Sequence, residues 1–185
     1  MLYHKAYELL KNSDSPKLMP DLCANLGDAY VFDNDLPKAA LWYRKALFIA
    51  DSLQLPKVQN ASLYMGLGRI YLLLEDFEAS LNCYQQTEKS FSDLSLNLQA
   101  YFLNNYGNYY YYTKDYQTSL KKFLMLKKLL EKHDKRETFS MYLCKLNLAD
   151  VYLNLNQLDL SDKCLDEVED YMRKNGDETA IYYCN

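Results

Sequence analysis

Apolar residues recur three to four positions apart in segments of about 16–18 residues, with short polar breaks between them. That spacing predicts amphipathic α-helices joined by tight turns. The segments come in pairs, and the pairs repeat. Leu26-Gly27-x-x-Tyr30 returns as Leu67-Gly68-x-x-Tyr71, as Tyr106-Gly107-x-x-Tyr110 and as Leu148-Ala149-x-x-Tyr152. The small residue at 27, 68, 107 and 149 steps by 41, 39 and 42 residues. Twelve positions later stands a second small residue, Ala39, Ser80, Ser119 or Ser161, and four beyond it a large one, Tyr43, Tyr84, Phe123 or Leu165.

Each unit therefore reads as an antiparallel helical hairpin. The small residues let the two helices approach, and the aromatics at Tyr30 and Tyr43 fill the space around that contact. Asp35, Asp76 and Asp115 precede the second segment, where free backbone N–H groups and the helix dipole favour an oxygen acceptor. The fourth copy has Gln157 there. Ser15-Pro16 reads as an N-cap with proline at the first helical position. One hairpin cannot bury its own apolar face, so neighbours must stack. The repeats run over 15–56, 57–94, 95–136 and 137–176. Residues 1–14 read as the second helix of a truncated unit, since Tyr3-His4-Lys5-Ala6 matches Tyr43-Arg44-Lys45-Ala46, and 177–185 as the start of another. The array thus reads as cut at both ends, as in a fragment of a longer protein or one closed by half-unit caps.

This pattern resembles the tetratricopeptide repeat (TPR) family, over almost the whole chain. The family's period is about 34 residues; here it is about 40. Cys23, Tyr64, Leu103 and Lys145 stand where the family carries a tryptophan, and the late proline is missing. The resemblance implies a longer-helix variant, as in TPR regions of signalling and regulatory proteins, and an all-α, right-handed solenoid of stacked antiparallel hairpins. It also implies that one face of each first helix lines a concave groove. The positions so placed include Asp21, Asp28, Val31 and Phe32; Ser62, Met65, Arg69, Leu72 and Leu73; Tyr101, Asn104, Asn108, Tyr111 and Tyr112; and Leu143, Leu146, Asp150, Leu153 and Asn154.

The run NYGNYYYYTKDY at 105–116 tests this sorting. Tyr106 and Tyr110 occupy signature positions and are expected in the core. Tyr109 shares a column with Ala29, Ile70 and Val151 and is expected between units. Tyr101, Asn104, Asn108, Tyr111 and Tyr112 share another helical face. Val31, Phe32, Leu72, Leu73, Tyr111, Tyr112 and Leu153 would form an apolar and aromatic band of the kind that marks a contact site. The competing reading is that curvature or a covering helix buries it.

Composition narrows the function classes. Five glycines and four prolines in 185 residues disfavour an all-β chain. The net charge of −4, with signs interspersed, argues against a nucleic-acid surface. The apolar runs, such as that around Ile70–Leu74, are too short to span a membrane. The opening MLYHKAYELLKN is amphipathic and charged, unlike a leader. Cys23, Cys83, Cys144, Cys164 and Cys184 form no C-x-x-C pair and read as packed thiols, which suit the cytosol, although the compartment stays open. His4 and His133 have no metal or triad partners at useful spacing, so no catalytic, metal or cofactor site is expected. Gly66-x-Gly68 has no strand before it and does not read as a dinucleotide loop. The lysines at 121, 122, 127, 128, 132 and 135 read as a solvated face.

The expected role is a non-enzymatic module that binds a peptide or helical segment in the groove. The alternative is the sensor or regulatory region of a larger signalling protein, a transcription regulator or histidine kinase, with its output domain elsewhere. The expected partner is a protein or peptide, with a second copy of the chain, docked through the terminal repeats, also open.

Overall fold

The computed structural model describes residues 5, 7, 8, 16–135 and 138–175. His4, Ser15, Cys184, most of 1–14 and all of 177–185 lie outside them, so the readings placed there go no further. Among the described residues there are eight α-helices and no strand: α1 (Met19–Phe32), α2 (Leu36–Ser52), α3 (Lys57–Leu73), α4 (Phe77–Glu88), α5 (Leu96–Tyr112), α6 (Tyr116–Lys132), α7 (Phe139–Asn154) and α8 (Leu158–Asn175). Short 3-10 turns cover Pro16–Leu18 and Phe91–Asp93. The architecture is all-α, built of antiparallel helical hairpins. Pro16 opens a 3-10 turn rather than the α-helix. It is Pro20 that occupies the first turn of α1, where a missing N–H costs nothing.

The hairpin turns have one design. A residue with positive φ closes each first helix: Asn34 (59°), Glu75 (60°), Lys114 (64°) and Asn156 (58°). The chain turns back on a backbone bond to the residue five positions earlier, such as Asp35 N–H to Tyr30 O at 2.8 Å or Asp76 N–H to Tyr71 O at 2.9 Å. Then an aspartate caps the second helix. The carboxylates of Asp35, Asp76 and Asp115 accept from the N–H of Lys38 (3.2 Å), Ala79 (3.1 Å) and Thr118 (3.0 Å).

The twelve-residue interval between small residues is a hydrogen bond between the two helices of a hairpin. Ser80, Ser119 and Ser161 are buried, and each hydroxyl donates at 2.9 Å to the carbonyl of Gly68, Gly107 or Ala149. The first copy has Ala39 and no such bond.

The chain divides into two compact units, Met1–Leu98 and Gln99–Asn185. In the first, α3 packs against α1, α2 and α4. One continuous core there includes Cys23, Leu26, Ala39, Tyr43, Ala46, Leu67 and Ile70. Tyr43 is its wedge. A Cβ on Gly27 would lie 2.5 Å from the Tyr43 ring, and one on Gly66 would lie 2.2 Å from it. Both glycines thus exist to admit one aromatic ring, which explains Gly66 without any nucleotide loop. In the second unit Gly107 does the same for Phe123, whose ring would stand 2.7 Å from an added Cβ. Phe123, Leu126, Cys144, Leu148, Val151 and Val168 fill the interior of that unit.

Candidate functional site

The expected binding positions on the first helices differ in exposure. On α1, Phe32 is 91% exposed and Asp28 lies on the surface. On α3, Leu73 is exposed, but Met65 (0%) and Leu72 (9%) are buried. This corrects their assignment to an open face: α3 has helices on three sides, so its apolar stripe is wider than one hairpin partner requires. Arg69 is held rather than free. Its guanidinium lies 3.6 Å from Asp28, which also accepts a 2.8 Å hydrogen bond from the Tyr43 hydroxyl.

The tyrosine run sorts by depth. Tyr106 and Tyr109 are buried, and Tyr101 and Tyr112 are exposed at 43% and 62%. Tyr110 and Tyr111 are both half-buried. Tyr110 is therefore not a fully buried core residue. Its ring packs on Tyr106 and Tyr109, while its hydroxyl donates to that of Tyr106 at 3.2 Å. The signature tyrosines Tyr30, Tyr71 and Tyr152 are half-buried too, as suits a ring whose polar end keeps access to water.

A cleft lies between α5 and α7 in the second unit. Two hydrogen bonds join these helices, each between residues 43 apart: Asn147 Nδ2 to Asn104 Oδ1 at 2.9 Å, and Asn154 Nδ2 to the Tyr111 hydroxyl at 3.3 Å. Asn154 is braced by a second bond to the Asp150 carbonyl at 2.8 Å. The cleft has a volume of about 80 Å³ and is lined by Asn108, Tyr111, Tyr112, Phe123, Asn147 and Asp150. Tyr111 and Tyr112 meet edge to face, with centroids 5.8 Å apart and planes at 86°, and Tyr116 packs on Tyr111 from the other side at 5.6 Å.

Burial raises the pKa of the Tyr111 hydroxyl, and the Asp150 charge pushes the same way. Asp150 keeps an exposed edge, yet the groups around it remove enough water to raise its carboxyl pKa as well. Five of the expected positions thus meet here: Asn104, Asn108, Tyr111, Tyr112 and Asp150, with Asn154 as a brace. Leu146 and Tyr101, the latter about two turns before Asn108 on α5, do not line the cleft. Asn147 is an addition. The helical spacing 147, 150, 154 is its signal in the sequence, and it faces the spacing 104, 108, 111 on α5.

No group of three or more His, Cys, Asp or Glu among the described residues could hold a metal ion. No helix among them is long and apolar enough to cross a membrane. His133 is the exposed C-cap residue of α6. Of the lysines on α6, Lys122 lies over the Tyr106 ring at 4.2 Å, and Lys121, Lys128 and Lys132 are solvent-exposed.

A family model described as tetratricopeptide repeat matches residues 61–87, the span of most of α3 and nearly all of α4. No curated protein matches the chain. Among solved structures, BtubC (BKLC) from P. vanneervenii superposes with a TM-score of 0.81 at 20% identity, over 95% of this chain and 72% of that one. A putative kinesin light chain with nearly identical TPR-like repeats, from Podosopora anserina, gives 0.77 at 14% identity, over 95% and 85%. Aspartyl phosphate phosphatase F from Bacillus subtilis gives 0.80 at 15% identity, over 95% of this chain and 46% of that one. The chain thus carries a TPR-type repeat within a TPR-like fold. TPR repeats are generally protein–protein interaction modules, and their fold is generally a non-catalytic scaffold.

Proposed function

We propose that the chain is a binding module that holds a peptide or helical segment of a protein partner against the α5–α7 face. The observation that carries this is the cleft itself. It combines aromatic rings that bury area at low entropic cost with side-chain amides able to hydrogen-bond a partner's backbone. Tyrosine is favoured at such contacts because its ring can be covered while its hydroxyl stays wet. The test measures affinity for a partner purified with the native chain. Tyr111→Ala with Tyr112→Ala should weaken it by at least about 2 kcal/mol, as loss of aromatic anchors does, with the helical content unchanged. Equal affinity for the native and doubly substituted chains would remove this face from the reading.

A second reading, a regulatory region within a larger signalling protein, draws support from the fold match to an aspartyl phosphate phosphatase of which this chain spans less than half. The flanking gene sequence separates the two: an adjoining DNA-binding or kinase domain supports the regulatory reading, and a stop codon soon after Asn185 opposes it.

A further inference from the structure

The cleft between α5 and α7 has a charge that no cation among the described residues answers. Asp150 lies in its wall, and no lysine, arginine or histidine among the described residues pairs with it. The nearby cation of α7, Lys145, is engaged with Glu167 at 2.9 Å. Beside Asp150 stand the Tyr111 and Tyr112 rings at right angles. The faces of such rings carry negative partial charge and attract an ammonium or guanidinium within about 6 Å of the centroid. Asn108, in the same wall, brings an amide oxygen that can accept from a cation. The volume of about 80 Å³ is that of two to three liquid waters at about 30 Å³ each, which suits the end of one side chain but not a ring or a folded metabolite.

We propose that this cleft is a subsite for a lysine or arginine side chain of the partner segment. The inference rests on the binding reading above and deepens it by naming the chemistry of one contact. A carboxylate stripped of part of its water and set beside two aromatic rings gains more from a cation than from an apolar group. It repels an acidic partner residue outright. The negative net charge of the chain, −4, adds a weak long-range preference of the same sign. The Asn154 bond to the Tyr111 hydroxyl helps hold that ring in place before the cation arrives.

The test uses the full chain, labelled with nitrogen-15, and four short acetylated, amidated peptides. These carry the same apolar residues and differ only at a central lysine, arginine, norleucine or glutamate. The lysine and arginine peptides should shift the amide signals of 108–112 and 147–154, bind at least about tenfold more tightly than the norleucine peptide, and leave the glutamate peptide without effect. Asp150→Asn should remove most of the preference for lysine over norleucine. Equal binding of norleucine and lysine peptides, both lost with Tyr111→Ala and Tyr112→Ala, would keep the binding face and overturn the cation subsite. Shifts spread over acidic surface positions elsewhere, or none with any peptide, would overturn it too. So would choline binding the cleft more tightly than either cationic peptide, which would make it a site for a free small cation.

Discussion

At Asp150 burial works against charge, and the sign of the effect follows. Its folded pKa is raised above the usual carboxylate value, so the ionised form is disfavoured in the fold and stability falls as pH rises through that range. At neutral pH the penalty is fully present. Asp150→Asn should therefore raise the melting temperature slightly at pH 7, with the gain vanishing at a pH low enough to protonate the carboxyl in both states; thermal unfolding at the two pH values reads this. The buried thiols shift in the same direction, but their neutral form is the one present at pH 7, so burial carries no such penalty there. Burial pushes Cys23 up to about 11 and Cys83 and Cys144 to about 12, and raises Cys164 as well. Thiolate, not thiol, is the reactive form, so in a Cys184→Ser chain these four should resist alkylation at pH 8 until denaturant is added, as counted by mass. The glycines differ among themselves. Gly66→Ala should destabilise by about 1–3 kcal/mol because the Tyr43 ring has nowhere to move. Gly68→Ala, with its nearest contacts at 3.1 and 3.2 Å, should be milder, offset by the better helix propensity of alanine.

At the level of elements, the turn is the most repeated device and carries a removable cost. Glu75 and Lys114 hold left-handed conformations that only glycine, and to a degree asparagine, adopt without a steric penalty. The other two hairpin turns use Asn34 and Asn156. Lys114→Gly should stabilise the chain by roughly 0.5–1 kcal/mol in urea unfolding, while Asp115→Ala one residue later should cost about 1 kcal/mol by removing the cap on α6. Opposite effects at neighbouring exposed positions would be hard to obtain from any general change in the surface. The first helices of the first three repeats also share a feature at their C-terminal ends: Phe32, Leu73 and Tyr112 are exposed at equivalent positions, where the fourth repeat has the exposed Asn154. Three repeats thus keep an apolar or aromatic side chain in water at the same place, and in the second unit Tyr112 borders the α5–α7 cleft there.

For the molecule as a whole, a repeat array implies stability that is local in origin. In such arrays a hairpin depends chiefly on the elements next to it, so damage spreads less than in a domain with a single centre. Phe123→Ala removes a fully buried ring and should cost about 3–5 kcal/mol. Hydrogen exchange should then rise first in α5–α8 and only later in α1–α4. Uniform acceleration would show that the two units unfold together. Tyr110→Ala, at a half-buried position, should cost distinctly less than Phe123→Ala by the same measurement.

The sequence by itself determined what rests on short-range spacing. Helices follow from apolar positions three and four apart, hairpins from the pairing of segments across a capped turn, and the close helix contacts from small residues twelve positions apart. All of these act within one repeat, so one repeat's residues suffice to specify them, and four aligned copies make them legible. What lay beyond it was every contact between repeats. Met65 and Leu72 share the pattern of surface positions, yet α3 is covered on three sides and buries them. Gly66 has no meaning within its own hairpin and is explained only by the Tyr43 ring from the one before. Asn147 joins the cleft because α7 lies against α5 in the register that sets residues 43 apart opposite each other. That register depends on how two amphipathic surfaces interlock, a property of shapes meeting in space, which a spacing along the chain does not carry.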